Sequence, residues 1–420
     1  MIRFFLFLCV VIIIWSCNSS KEIVTSNNTI ISRYTPTQIN PQFVVYHDQD
    51  SSSIVYFKLT SEELLYAKKE SSSLYKSKVS INYKLIESYE KPNLVDKGVL
   101  FVVDTISPEN PHEIVGSFRV NAEAGNAYVL TIIAEDSYKK SVSLSDIIID
   151  KKSTLSSQNF IVRESSGKVK FDSFYRNEPL YITFNATARK NLTVRYYSRD
   201  FSLAAPPFSV ISVKPFDFKS DSIYTIEKSK NNFEFSPNKK GLYLIQADTI
   251  QRKGLCIINS SNPQFPTHNS AQEIIEPLRF ITTKKEFETM FETSEQKTML
   301  DSFLVNLTNN KNRAKEVVKN YFSRVQNANL LFTSYQEGWK TDRGMIYIIF
   351  GPPNNVYRSS FSESWIYGEE NNFNAINFNF SKVDNPFSEN DYSLNRSSIY
   401  KGSFYKAVDT WRQGRVFDSN

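Results

Sequence analysis

Between positions 337 and 353 the chain reads Glu337-Gly338-Trp339-Lys340-Thr341-Asp342-Arg343-Gly344-Met345-Ile346-Tyr347-Ile348-Ile349-Phe350-Gly351-Pro352-Pro353. No other run constrains the fold as strongly. A short polar segment bracketed by glycines feeds an unbroken apolar stretch, and a Gly-Pro-Pro turn ends it. Glycine is scarce here, 12 in 420 residues, so its use at Gly338 marks a place where φ > 0 is needed at a helix end. The reading is a helix ending near Gly338, a turn closed by Gly344, and a strand from Met345 to Phe350.

Each polar residue of the run has a distinct chemistry. Trp339 brings a large ring with one N–H donor, suited to pinning helices on a sheet. Thr341 and Asp342 bond nearby backbone amides, as ST and Asx turns do. Arg343 offers a planar five-donor fork for a carboxylate or carbonyls. Three roles are open: a rigid helix-to-strand junction, a binding loop on a stiff scaffold, and catalysis by Asp342. The last lacks a second carboxylate at any fixed spacing. The run resembles the signature of the GWxTD-domain family of bacterial cell-envelope lipoproteins, notably in Bacteroidota. The resemblance covers about residues 300–380, including the aromatic strand after the Gly-Pro-Pro turn. It implies an α+β domain and an envelope location.

The N-terminus supports that address. Arg3 precedes an apolar stretch from Phe4 to Trp15, shorter than the roughly 20 residues a spanning helix needs. Ser16-Cys17 follows and resembles a lipobox, with cleavage leaving Cys17 to be acylated. The expectation is a signal peptide at 1–16, a lipid on Cys17 and attachment to the outer membrane, with the exposed face open. Residues 17–42, rich in Ser, Thr, Asn and Pro, have the composition of a polar tether. Cys256 lies in an apolar strand pattern and reads as a small buried hydrophobe.

The formal charge of +6 rests on 50 basic and 44 acidic residues, interspersed along the chain. A nucleic-acid binder clusters its Lys and Arg, so that partner is rejected. Aromatic residues make up 14% of the chain, mostly Phe and Tyr, and both favour strands. Short strand patterns recur over 43–152 and again over 157–262, giving two tandem immunoglobulin-like β-sandwiches. Gly98 to Val103 is a continuous apolar run and reads as buried on both faces; Thr60 to Lys69 reads as a short helix capped by Ser61.

From about 280 to 420 the pattern becomes helical and then mixed. Thr283 and Glu286 form a capping box, a second helix spans about 295–307, and Asn309 and Asn310 cap a third. Ala314, Val317, Val318, Tyr321, Phe322, Val325 and Ala328 fall on one stripe of that helix. The tail from Val383 reads as loops and a last strand. Its aromatics, Trp411 among them, either pack on this domain or form a contact surface for a protein or a glycan.

The fold class is thus mostly β, with an α+β C-terminal domain. No catalytic constellation is legible. The three histidines, His47, His112 and His268, show no metal-ligand spacing, and no cofactor or metal motif appears. The expected function is non-enzymatic: an outer-membrane lipoprotein serving as accessory or scaffold subunit for other envelope proteins. Trp339, Thr341, Asp342, Arg343 and Trp411 are the candidate binding residues. The alternative is a glycan- or peptidoglycan-binding module, and behind it an envelope hydrolase.

Overall fold

A computed structural model describes residues 30–32, 34, 39–68, 74–106, 111–186, 188–199, 201–210, 216–260, 265, 270–308, 310–369 and 372–417. The signal peptide, Cys17, most of 17–42, His268 and Asn309 lie outside the described residues.

The first sandwich packs a three-stranded sheet on a five-stranded one. The former orders Gln42–Tyr46, Ser52–Thr60 and Glu113–Asn121, all antiparallel. In the latter, Tyr75–Ile86 pairs with Leu94–Ile106 on one side and with Ala127–Asp136 on the other, and Val142–Asp150 closes that edge. Ala67–Lys68 adds a short pairing. Period-two alternation sends Val55, Phe57, Ile81, Leu130 and Ile132 into one core. Each such buried side chain stabilises by about 1.5–3 kcal/mol.

Two expectations fail in this domain. Gly98 to Val103 is not buried on both faces; its strand Leu94–Ile106 is an outer strand with Val99, Phe101 and Val103 at 57, 62 and 59% exposure. A continuous apolar run does not by itself say which faces are covered. The helix read over Thr60 to Lys69 is absent as far as Lys68, the last described residue there: Ser61–Glu63 is a single 3₁₀ turn without a side-chain cap, and Ala67–Lys68 is extended. The Ser61 hydroxyl instead accepts the His112 amide at 2.9 Å, holding two strand ends together.

The second sandwich is an antiparallel seven-stranded sheet ordered Phe160–Arg163, Leu180–Phe184, Asn232–Phe235, Ser222–Ser229, Asn191–Tyr197, Gly241–Gln246 and Leu255–Asn259. Ser222–Ser229 serves both halves, pairing with Asn191–Tyr197 along its length and with Asn232–Phe235 at its end. Phe160, Ile182, Val194, Phe233 and Ile245 share the core. Val169 to Phe171, read as a strand, supplies one isolated bridge from Val169 to Arg163.

The two sandwiches meet through hydrogen bonds rather than a loose linker. Gln158 Nε2 donates to the Ile148 carbonyl at 2.7 Å, and its Oε1 accepts the Asp150 amide at 3.0 Å. The buried His47 ring contacts the Ser53 hydroxyl and the Asp150 carbonyl. Burial holds His47 below its ordinary pKa.

The C-terminal region lays helices on a five-stranded antiparallel sheet ordered Ile30–Ser32, Asn355–Arg358, Ser362–Tyr367, Ile376–Lys382 and Tyr392–Leu394. Its first strand comes from the segment read as tether. The capping box at Thr283 and Glu286 starts Lys284–Glu292, Gln296–Thr308 follows, and Asn310 caps the long helix Lys311–Phe332. The predicted stripe is the buried face: Ala314, Val317, Tyr321, Val325 and Ala328 are all buried.

The run from Met345 to Phe350 is helical, within Asp342–Phe350. Thr341 caps it, Asp342 opens its first turn, and Gly351, at φ 86°, ends it. These are helix start and stop signals, and they override the strand propensity of Ile and Tyr. The tail from Val383 holds the expected last strand, Tyr392–Leu394, and beyond it a helix, Tyr400–Arg412, where loops were expected. Tyr400, Phe404, Ala407 and Trp411 are its buried positions, at helical spacing.

The hairpin Gly241–Gln246/Leu255–Asn259 has two working faces. One closes the second sandwich. The other, with Leu242, Leu244, Cys256 and Ile258, packs against Phe387 and Tyr335 of the C-terminal region. Cys256 is a buried hydrophobe as expected; burial pushes its thiol up to about 12.

Candidate functional site

The helix Asp342–Phe350 runs through the core of the C-terminal region, and every residue from Arg343 to Phe350 is buried. A buried helix must satisfy its free end groups. At the N-terminus the Thr341 hydroxyl accepts the Gly344 amide at 3.0 Å and donates to the Gly338 carbonyl at 2.7 Å. At the C-terminus Arg324 Nη1 donates to the carbonyls of Ile348 and Ile349 at 3.2 and 3.3 Å. Trp411 Nε1 reaches the Ile349 carbonyl at 2.9 Å, and the Tyr367 hydroxyl reaches that of Gly351 at 2.9 Å. The Arg324 charge also complements the negative end of the helix dipole.

The glycines allow the backbones to touch. A Cβ on Gly338 would lie 2.0 Å from the Ala328 carbonyl oxygen, and one on Gly344 would lie 2.0 Å from that of Gly338. Trp339, 1% exposed, fills the space beside them. Its indole N–H donates to Glu337 at 2.8 Å, and its amide donates to the Asn329 side chain at 3.0 Å.

Asp342 and Arg343 leave the helix in different directions. Asp342 Oδ2 accepts the Leu394 amide at 2.8 Å and Arg396 Nη1 at 3.1 Å, fixing the chain between the last strand and the last helix. Arg343 is 2% exposed and sandwiched by rings, 5.1 Å from the Phe332 centroid and 4.2 Å from that of Tyr392. It pairs with Glu363 at 3.3 Å and donates to the Asn390 carbonyl at 2.9 Å.

Glu363 is the centre of a buried polar knot. Its Oε1 also takes Arg358 Nε at 3.1 Å and the Tyr34 hydroxyl at 3.0 Å, while Oε2 accepts Trp365 Nε1 at 3.0 Å. Arg358 in turn pairs with Asp146 of the first sandwich at 2.7 Å and donates to the Tyr34 hydroxyl. Burial alone would raise the Glu363 pKa; Arg343, Arg358 and the Trp365 and Tyr34 bonds outweigh it and hold the carboxylate below its usual range. Burial likewise opposes charge on Arg358, but Tyr34, Glu363 and Asp146 keep it above its usual value. Nearby, burial pushes the Asp391 carboxyl up to about 6, with Arg343 opposing and Asp342 adding to the shift.

The structure therefore brings Trp339, Thr341, Asp342, Arg343 and Trp411 into one region as supports, all of them buried but the partly exposed Asp342. Trp411, for which packing on this domain and a contact surface were the two readings, is 0% exposed and packs inside. Its ring packs edge-on against Tyr321, and Arg324 sits over it at 5.0 Å. The partners that complete the knot, Tyr34, Asp146, Arg358 and Glu363, escaped sequence reading. For Glu363 a signal existed: it shares strand parity with the buried Trp365 and Tyr367, which places a charge on an inward face.

Beside the knot a cleft of about 430 Å³ separates the first sandwich from the C-terminal region. Tyr34, Gln42, Asp146, Leu330, Arg343 and Asn390 are among its walls. No group of three or more His, Cys, Asp or Glu fit to hold a metal occurs among the described residues.

The chain is similar over part of its length to two enzymes of Bacteroides. One is a glycosyl hydrolase family 2 member from Bacteroides cellulosilyticus DSM 14838, with 11% identity and TM-score 0.19 over 36% of this chain and 19% of that one. The other is beta-glucuronidase 2 of Bacteroides uniformis, with 7% identity and TM-score 0.18 over 27% and 13%. The chain thus spans less than a fifth of either enzyme. No curated protein matches it significantly. Residues 241–413 match the GWxTD domain family. The match begins at the two-faced hairpin and ends just past Trp411, so it takes in the capped helix, the sheet and the last helix, and the chain carries a GWxTD domain.

Proposed function

We propose that this protein is a lipid-anchored outer-membrane lipoprotein that acts without chemistry of its own, as an accessory or scaffold subunit for another envelope protein. The lipid on Cys17 is supported by the apolar stretch and Ser16-Cys17 pattern ahead of the tether. Among the described residues, no helix is long and apolar enough to cross a membrane.

One observation carries the binding role. The strand Leu94–Ile106 pairs, among the described residues, only with Tyr75–Ile86, and it displays Val99, Phe101 and Val103 at 57, 62 and 59% exposure. Lys78, paired with Val103, lies 4.5 Å over the Phe101 ring. Lys76 and Lys84 share that outer face by strand parity, and so does Lys97. An apolar row flanked by lysines suits a partner that presents an extended apolar segment with acidic residues and adds it as a strand. The neighbouring strand, whose Val79, Ile81 and Leu85 are buried in the sandwich core, supplies the frame beside that row.

A photo-crosslinking residue placed at Phe101 in living cells tests this. The reading expects an adduct with one envelope protein, absent when the same probe replaces Lys230, in the exposed turn of the second sandwich between Ser222–Ser229 and Asn232–Phe235. Equal labelling from both positions, or none from Phe101, overturns it.

A further inference from the structure

We infer that the end of the molecule formed by the turn 359–361 and the first-sandwich hairpin beside it rests on the lipid bilayer, with the Phe361 ring set into the headgroup boundary. The inference rests on the lipid anchor at Cys17 proposed above and adds which face of the protein meets the membrane.

The path of the chain comes first. Ile30 stands thirteen positions after Cys17. An extended chain covers at most about 3.3–3.6 Å per residue, so an acylated Cys17 holds Ile30 within about 45 Å of the bilayer. Ile30–Ser32 is the edge strand of the C-terminal sheet, with Ile30 opposite Arg358 and Ser32 opposite Val356. The pairing is antiparallel, so a chain coming from Cys17 enters beside Arg358, where Asn355–Arg358 turns into Ser362–Tyr367. Just beyond, the Tyr34 hydroxyl is held by Glu363 at 3.0 Å, which fixes the entry point along the sheet.

Two exposed phenylalanines stand at opposite ends of that sheet. Phe361, 78% exposed, lies in the turn before Ser362–Tyr367, and the fully exposed Phe373 lies in the loop after it. A strand of this length sets the two about 20 Å apart. The anchored segment enters at the Phe361 end, so it draws Phe361 to the bilayer and leaves Phe373 in water.

The Phe361 end is held stiffly. The Lys382 amide donates to the Phe361 carbonyl at 2.8 Å. The Ser360 amide and hydroxyl donate to the Glu90 carboxylate at 2.8 and 2.7 Å. Glu90 belongs to the hairpin between Tyr75–Ile86 and Leu94–Ile106, which brings the exposed Lys91 and Leu94 to the same end. An aromatic ring, an aliphatic side chain and an ammonium suit an interface of acyl chains and anionic headgroups. Leu94–Ile106 then runs away from that end, which keeps Phe101 clear of the membrane and open to the partner strand.

The test uses the mature lipidated protein, purified from native membranes and reconstituted into vesicles of phosphatidylethanolamine and phosphatidylglycerol. Cys256 is buried and Cys17 is acylated, so a thiol introduced at the surface takes a fluorophore alone. Phe361→Cys, Lys91→Cys and Phe373→Cys are each labelled with an environment-sensitive dye, and quenching by lipids carrying a spin label in the acyl chain is compared. The inference expects labels at Phe361 and Lys91 to be quenched at least threefold more than the label at Phe373, with circular dichroism unchanged in all three. A vesicle-bound protein whose labels at Phe361 and Lys91 stay unquenched, or whose label at Phe373 is quenched equally, overturns it. Metabolic labelling with palmitate separates the two claims: a wild-type protein that takes up no acyl chain removes the anchor, and this inference with it.

Discussion

The indole N–H of Trp411 donates to the carbonyl of Ile349 at 2.9 Å, tying the last helix of the chain to the end of the signature helix. Trp411→Phe keeps most of the packing but leaves that buried carbonyl with only the Arg324 bond at 3.3 Å, for a cost of about 0.5–1.5 kcal/mol. Trp411→Ala adds a cavity and costs about 3–5 kcal/mol. Chemical denaturation followed by tryptophan fluorescence reports both. Three of the four tryptophans, Trp339, Trp365 and Trp411, lie in the GWxTD domain.

The glycines predict opposite outcomes at different places. Gly338→Ala and Gly344→Ala each drive a Cβ into a carbonyl oxygen 2.0 Å away, and forced overpacking costs about 1–3 kcal/mol or more. Gly402, within Tyr400–Arg412, has nothing within 4 Å of its would-be Cβ. Gly402→Ala is expected to stabilise by about 0.4–1 kcal/mol. Matched denaturation midpoints for the three variants check the contrast.

Removing the centre of the polar knot leaves Arg343 and Arg358 short of a carboxylate. Glu363→Gln is expected to cost about 3–5 kcal/mol, as breaking buried ion pairs does. Because Arg358 also holds Asp146 of the first sandwich, limited proteolysis is expected to release the first sandwich faster from this variant than from the wild type. Unchanged proteolysis would separate the knot from domain docking.

Asp391 gives the protein a pH dependence of unusual sign. Its carboxyl is raised to about 6 in the folded state, so folding binds a proton there more tightly than the unfolded chain does. This contribution is present below the ordinary carboxylate pKa and is lost as pH rises through about 6. Asp391→Asn is expected to gain stability over the wild type at pH 8 and to show little gain at pH 4. Denaturation midpoints across that range measure the difference.

The legible parts of the fold were the periodic ones. Alternation exposed most strands of both sandwiches, and the capping residues Thr283 and Asn310 marked real helix starts. The signature was misread where apolar content masked its boundaries: Met345 to Phe350 looks like a strand, yet Thr341-Asp342 and Gly351-Pro352 bound a helix. For Trp411 the sequence leaves packing on this domain and a contact surface both open. The spacing from Tyr400 through Phe404 to Trp411 puts it inside. The knot was not legible, since Tyr34 and Arg358 stand 324 positions apart and only the tertiary fold joins them. The outer strand at Val99 to Val103 was visible as apolar, but its exposure depends on which neighbours the sheet supplies.

The most direct test of the binding role is gentle detergent extraction of the tagged protein from native membranes, comparing wild type with Phe101→Asp and Cys17→Ala. The account predicts one stoichiometric envelope protein with the wild type and its loss with Phe101→Asp at equal protein level. It also predicts a shift of the Cys17→Ala form from membrane to soluble fractions. A wild-type protein that emerges alone, or a partner retained by Phe101→Asp, would contradict it.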